Sequence, residues 1–163
     1  MTQRILGIDP GLSGGWAIVN GSGKLESCGT FPTHTVNKKE RLQGYQLAEQ
    51  FMGKSIDHAY VEAVSSRPRQ AGQFQFGVNT GIVHGVLYAH GIPFTLVAPA
   101  AWKGSYGIKR AEDETKRDKK NEARELAAKL YPDHAHKFSR VKDDGVAEAA
   151  LIALYGLYLY STN

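Results

Sequence analysis

Four acidic side chains stand where acids are costly. Asp9 closes the apolar run "RILGID" just before a Pro10-Gly11 turn, Glu62 lies inside "YVEAV", and Asp144 and Glu148 open a last apolar helical pattern. Burying an ionised carboxylate costs several kcal/mol unless a charge or a metal compensates. Each acid alone has a plain structural use. Asp9 can cap its turn, Glu62 can pair with a nearby arginine, and Asp143 or Asp144 can be a helix N-cap. Together they suit different chemistry, because carboxylate oxygens fit Mg²⁺ or Mn²⁺, which take octahedral oxygen shells and retain water. Two such ions about 4 Å apart can activate a water and stabilise the leaving oxygen in phosphodiester hydrolysis.

That chemistry requires elements that bring the acids together. Residues 4–9, 16–20 and 24–31 read as three short strands of an antiparallel meander around glycine turns. A helical pattern follows over 40–52, a fourth strand over 57–64, a long helix over 74–90 and a fifth strand over 93–99. The segment "AAWKGSYGIKRAEDETKRDKK" is polar and glycine-rich, and is expected to be a flexible basic loop. Helical periodicity returns over 118–130, stops at Pro132 and resumes over 143–160. Three antiparallel strands, then alternating helix and strand, imply an α/β fold with a five-stranded mixed sheet flanked by helices. If its first and fourth strands are parallel neighbours, Asp9 and Glu62 come close and the last helix crosses them. Asp144 and Glu148, four apart, share one face of that helix, whereas Asp143 is better placed as its N-cap.

The chain's 163 residues suit one domain spanning 1–163. No apolar stretch approaches the roughly 20 residues a bilayer span needs, so no membrane association is expected. Cys28 is the only cysteine, which excludes an internal disulfide and a thiolate zinc cage and fits a reducing, cytoplasmic setting. The net charge of +4 is uneven: residues 101–142 hold twelve Lys or Arg against seven Asp or Glu. Such clustering marks either a solvated face or the footprint of a polyanion.

The blocks "GIDPGLSGGWAIV", "YVEAV", "FGVNTGIVHGVL", "VAPAAWK", "RDKKNEARELAAKLYP" and "DDGVAEAALIALYG" together resemble, in order and over essentially the whole chain, the RuvC-type Holliday junction resolvases, the phage and prophage branch in particular. The resemblance implies an RNase H-like fold, a homodimer binding four-way DNA junctions, and metal-dependent paired nicks using Mg²⁺ or Mn²⁺, two per active site. The family's first acid falls on Asp9, its second on Glu62 and its last on Glu148. Its penultimate ligand, three residues before the last, falls on Gly145, a departure for which Asp144 is the substitute. The family's lysines match Lys103 and Lys119, with Lys120 an alternative. An RNA-processing nuclease of the related YqgF-like group shares the fold. An actin-like or sugar-kinase ATP-binding domain shares the glycine turn after Asp9, but needs two lobes and a longer chain.

Further residues are candidate DNA contacts. Arg67 and Arg69 can hold phosphates in the loop after the fourth strand, as can Lys109, Arg110, Lys116 and Lys120 in the basic segment. The family places a base-stacking aromatic shortly after its second acid. Here Phe74 and Phe76 are the nearest, and a core position is the competing reading. Gly77, Gly81 and Gly85 form a smooth ridge along one helix, facing either the domain's own sheet or a second protomer. His134 and His136 lack a third ligand nearby, and Trp102 is expected to pack beside the sheet.

Overall fold

The computed structural model describes residues 3–63, 72–108 and 116–162, with 116–120 described by backbone alone. Apolar residues on both faces of the "RILGID" and "HAYVE" runs dictate strands buried on two sides. They form β1 (Arg4–Asp9) and β6 (His58–Glu62), the middle of a five-stranded mixed sheet. Its order is β3 (Leu25–Thr30), β2 (Gly15–Asn20), β1, β6, β7 (Phe94–Val97). The first three are antiparallel, and β1, β6 and β7 run parallel, so the first and fourth expected strands are parallel neighbours.

Helices cover both faces. Ile5, Ala17, Val19 and Tyr60 point into a core formed with α4 (Lys116–Leu130) and α5 (Asp144–Thr162). Leu6, Ile8, Ile18 and Val61 point the other way, into a core with α1 (Gly44–Phe51) and α2 (Gln73–Ala89). Among the described residues, no helix is long and apolar enough to cross a membrane.

Three expectations are corrected. Residues 40–42 do not start a helix. They belong to β5 (Lys39–Leu42), which pairs with β4 (Thr33–Val36) in a separate hairpin, and α1 starts only at Gly44. The hairpin turns at Asn37 and Lys38, both with positive φ, the geometry of a tight two-residue turn. Nor is the start of the basic segment a loop. Pro99 opens α3 (Pro99–Ser105), whose Trp102 is fully buried, and the Tyr106 hydroxyl donates to the Leu151 carbonyl of α5 at 2.8 Å. Finally, Asp143 does not cap α5 with its side chain. It ends a 3₁₀ turn (Val141–Asp143), and its carboxylate accepts from the backbone N–H and the guanidinium of Arg140.

Candidate active site

Asp9 and Glu62 end neighbouring parallel strands. Side chains alternate along a strand, so Asp9 follows Ile5 and Gly7 onto the α5 face, and Glu62 follows Tyr60 onto the same face. The register Ile8↔Val61 then sets the two acids side by side. α5 lies directly on β1: a Cβ at Gly7 would run into the Ala149 carbonyl oxygen and the Ala153 backbone. Only glycine lets the helix sit this low, and the seating lowers Glu148 onto the strand ends. Carboxylate oxygens of Asp9, Glu62 and Glu148 lie within 4.8 Å of one another.

Two adjacent residues of α3 hold this cluster. Lys103 Nζ donates to Glu148 Oε1 at 3.0 Å, and the indole N–H of Trp102 donates to Glu62 Oε2 at 2.8 Å. The ammonium also stands 4.9 Å from the Trp102 ring centre, a cation–π contact. One lysine does not balance three acids. Burial, with Glu148 and Glu62 alongside, pushes the Asp9 carboxyl up to about 8, against the lowering pull of the Gly11 N–H and Lys103. Glu62 is raised as well, by burial and then by Glu148, with Trp102 and Lys103 opposing. Among the described residues, the site concentrates more negative charge than Lys103 neutralises, and its clustered donors are all oxygen. A hard divalent cation such as Mg²⁺ or Mn²⁺ fits both facts, whereas zinc sites draw mainly on thiolates and imidazoles.

RuvC of T. thermophilus, in complex with a Holliday junction substrate, matches with a TM-score of 0.67 at 15% identity, over 98% of this chain and 96% of that one. The chain has the RuvC fold. A second structure of Thermus thermophilus RuvC gives 0.58 at 16% identity, over 98% and 97%. The Fowlpox virus resolvase in complex with substrate Holliday junction DNA gives 0.51 at 13%, over 95% and 99%. No protein-family model and no curated protein matches the sequence. At these identities the likeness is one of fold.

Within this RuvC fold, position 145 has no room for a ligand. A Cβ on Gly145 would collide with the Ser13 carbonyl oxygen and come within 2.5 Å of the Gly14 Cα, because the turn after Asp9 forms a β-bridge with the start of α5. Asp144, the first residue of α5, is buried at 8% exposure and engaged within the protein. It stands one turn before Glu148, outside the 4.8 Å set. Asp143 is committed elsewhere. Burial raises its carboxyl, but the hydrogen bonds and charge of Arg140 outweigh that and hold it below the usual range.

The remaining candidates divide. Phe74 is 85% exposed at the start of α2, so it is not a core residue. Gly77, Gly81 and Gly85 face outward with nothing among the described residues within 4 Å of a Cβ, which rules out packing against the domain's own sheet. Lys116, Lys119 and Lys120 lie in the first turns of α4, with side chains outside the described residues. Arg67 and Arg69, and Lys109 and Arg110, also lie outside the described residues. Sequence reading missed the bond from Trp102 to Glu62. The signal available was a large aromatic next to a candidate catalytic lysine, just after a Pro at a helix start.

Proposed function

We propose that this protein is a RuvC-type resolvase, a metal-dependent endonuclease that binds four-way DNA junctions as a homodimer and nicks two opposed strands symmetrically. The observation that carries the reading is the convergence of Asp9, Glu62 and Glu148, with Lys103 beside them, at one end of a RuvC-fold sheet. The junction-bound state of two structural neighbours supports the choice of substrate. Asp9, Glu62 and Glu148 would hold divalent ions, with Asp144 as a fourth ligand in place of the family residue that Gly145 cannot supply. Such ions, two per site, supply a Lewis acid that activates water and stabilises the leaving oxygen. The residues do the rest. Lys103 offers an ammonium to the charge that grows on the scissile phosphate, and Lys119 is assigned the same role from α4. Arg67, Arg69, Lys109, Arg110, Lys116 and Lys120 are assigned to phosphates, contacts that position DNA without reading its sequence. Phe74, exposed at the N-terminal end of α2, is available to stack on an opened base.

The outward glycine ridge of α2, flanked by exposed Phe74, Val78 and Tyr88, supports the homodimer. A twofold axis would match two active sites to two strands of a symmetric junction. The deciding experiment incubates the purified protein with a labelled four-way junction and a matched linear duplex, with Mg²⁺ or with EDTA. Symmetric nicks confined to the junction and dependent on Mg²⁺ are expected. Equal cleavage of the duplex, or cleavage that survives EDTA, would overturn the reading.

A further inference from the structure

The β4–β5 hairpin is a second basic surface, separate from the carboxylate cluster but at the same end of the sheet. Asp9 pairs with Gly15, and Gly15 with Thr30, so the three form one row across β1, β2 and β3. Strands are about 4.8 Å apart, which puts Thr30 about 10 Å from Asp9. The chain leaves the sheet there and enters the hairpin at Thr33. Leu42, buried in the α1/α2 core, anchors the base opposite Thr33, and the tip projects four residues beyond.

The hairpin register sorts its charges. Thr33 pairs with Leu42 and Thr35 with Glu40, which places the one acid on the anchored Leu42 face. His34 pairs with Arg41 and Val36 with Lys39, so the other face carries cations and no acid. Lys38 adds a further cation at the tip, with a φ of 61° that favours glycine. A lysine there sets a charge at the exposed tip in a backbone geometry that glycine would adopt more easily. No ion pair among the described residues involves Lys38, Lys39 or Arg41. Lys38 and Lys39 are exposed, and Arg41 is half-buried.

We infer that this hairpin is a DNA-binding arm, with Lys38, Lys39 and Arg41 engaging the phosphate backbone of a duplex arm of the same substrate that enters the carboxylate site. The inference rests on the nuclease reading above and extends it to a surface distinct from the active site. Its partner is double-stranded DNA recognised by charge. Its contacts set affinity and orientation and leave the chemistry untouched.

The test compares wild type, the triple variant K38Q/K39Q/R41Q, and K38G, on a four-way junction and a linear duplex in EDTA over a range of salt. The triple variant should bind the junction at least about tenfold more weakly, with a salt slope reduced by about two to three units. Its single-turnover rate at saturating junction and Mg²⁺ should match wild type. K38G relieves the turn, so it should melt no lower than wild type and still bind DNA more weakly, a combination that a purely structural Lys38 does not produce. Unchanged affinity and salt slope in the triple variant would overturn the inference, whatever other partner the hairpin serves. A wild type that binds duplex and junction equally removes the resolvase reading, while the hairpin is still judged by the loss between wild type and variant. A wild type that binds neither DNA overturns both.

Discussion

The indole N–H of Trp102 donates a 2.8 Å hydrogen bond to Glu62, a carboxylate that ends a strand 40 residues earlier. Its chain neighbour Lys103 grips Glu148 on α5. One short helix therefore holds two of the three clustered acids, and it is itself held by the burial of Trp102 and by the bond from Tyr106 to α5. On the proposed reading, Trp102 would act through Glu62 as a positioning residue.

Trp102→Phe keeps most of the buried ring and deletes the N–H. Partners that orient metal ligands are typically worth about 10–100-fold in affinity or activity. Calorimetric Mn²⁺ binding should weaken by that range, and the acid limb of the pH–rate profile should move to higher pH, because the lost bond is one that lowers the Glu62 carboxyl. Unaltered Mn²⁺ affinity would reduce the bond to simple packing.

Asp9→Asn should abolish cleavage and spare junction binding, since it removes a proposed metal ligand and leaves the basic surfaces intact. Its effect on stability has the opposite sign. With the folded carboxyl at about 8 and the unfolded one near 3.8, the folded state binds more protons between those values, so metal-free stability falls as pH rises through that window. The melting temperature of metal-free wild type should drop from pH 5 to pH 8, and Mg²⁺ should restore it most at pH 8. Asp9→Asn should flatten the profile and melt about 2–4 °C above wild type at pH 8 without metal, for about 1 kcal/mol gained.

Lys103→Gln should slow the saturated single-turnover rate about 10²–10³-fold with little loss of junction affinity, as expected for a cation that meets charge in the transition state. Equal losses of rate and affinity would make it an ordinary phosphate contact.

Asp144→Asn should remove cleavage while leaving the fold intact. Asp143→Asn should do the reverse, lowering stability by about 1–3 kcal/mol through the weakened Arg140 clamp and keeping most activity. Melting curves and single-turnover rates for the two variants decide between the aspartates. A dead Asp143→Asn beside an active Asp144→Asn would reverse the ligand assignment.

A Cβ at Gly81 meets nothing within 4 Å among the described residues, and Gly81→Leu improves helix propensity, so the isolated fold should lose no stability. Light scattering should nevertheless show a lower mass than wild type. A wild type that is monomeric and still makes paired nicks would sink the homodimer.

Read alone, the sequence determined the acids and the sheet that carries them. A carboxylate inside an apolar run is a conflict between local patterns, and that conflict is visible at Asp9, Glu62 and Glu148 with no knowledge of contacts. Strand and helix alternation, a property of near neighbours in the chain, was likewise enough for the central strands and the last helix. Other features depended on partners that no local window contains. "KKERLQGYQLAEQF" is rich in helix-compatible residues, yet residues 39–42 pair with 33–36 across a tight turn, because Leu42 is drawn into the α1/α2 core. Trp102 sits in a polar segment, and its partner Glu62 is supplied only when the sheet register sets β6 beside β1. The glycine repeat of α2 was plain as a stripe, but its outward direction follows from which other residues of the helix, Val83 and Leu87 among them, are buried in the core. Gly145 looked like a missing ligand. Only the packing of the Ser13–Gly14 backbone against α5 shows that no side chain fits there, since close approach between segments so far apart in the chain is decided by the seating of the helix on the sheet and not by propensity.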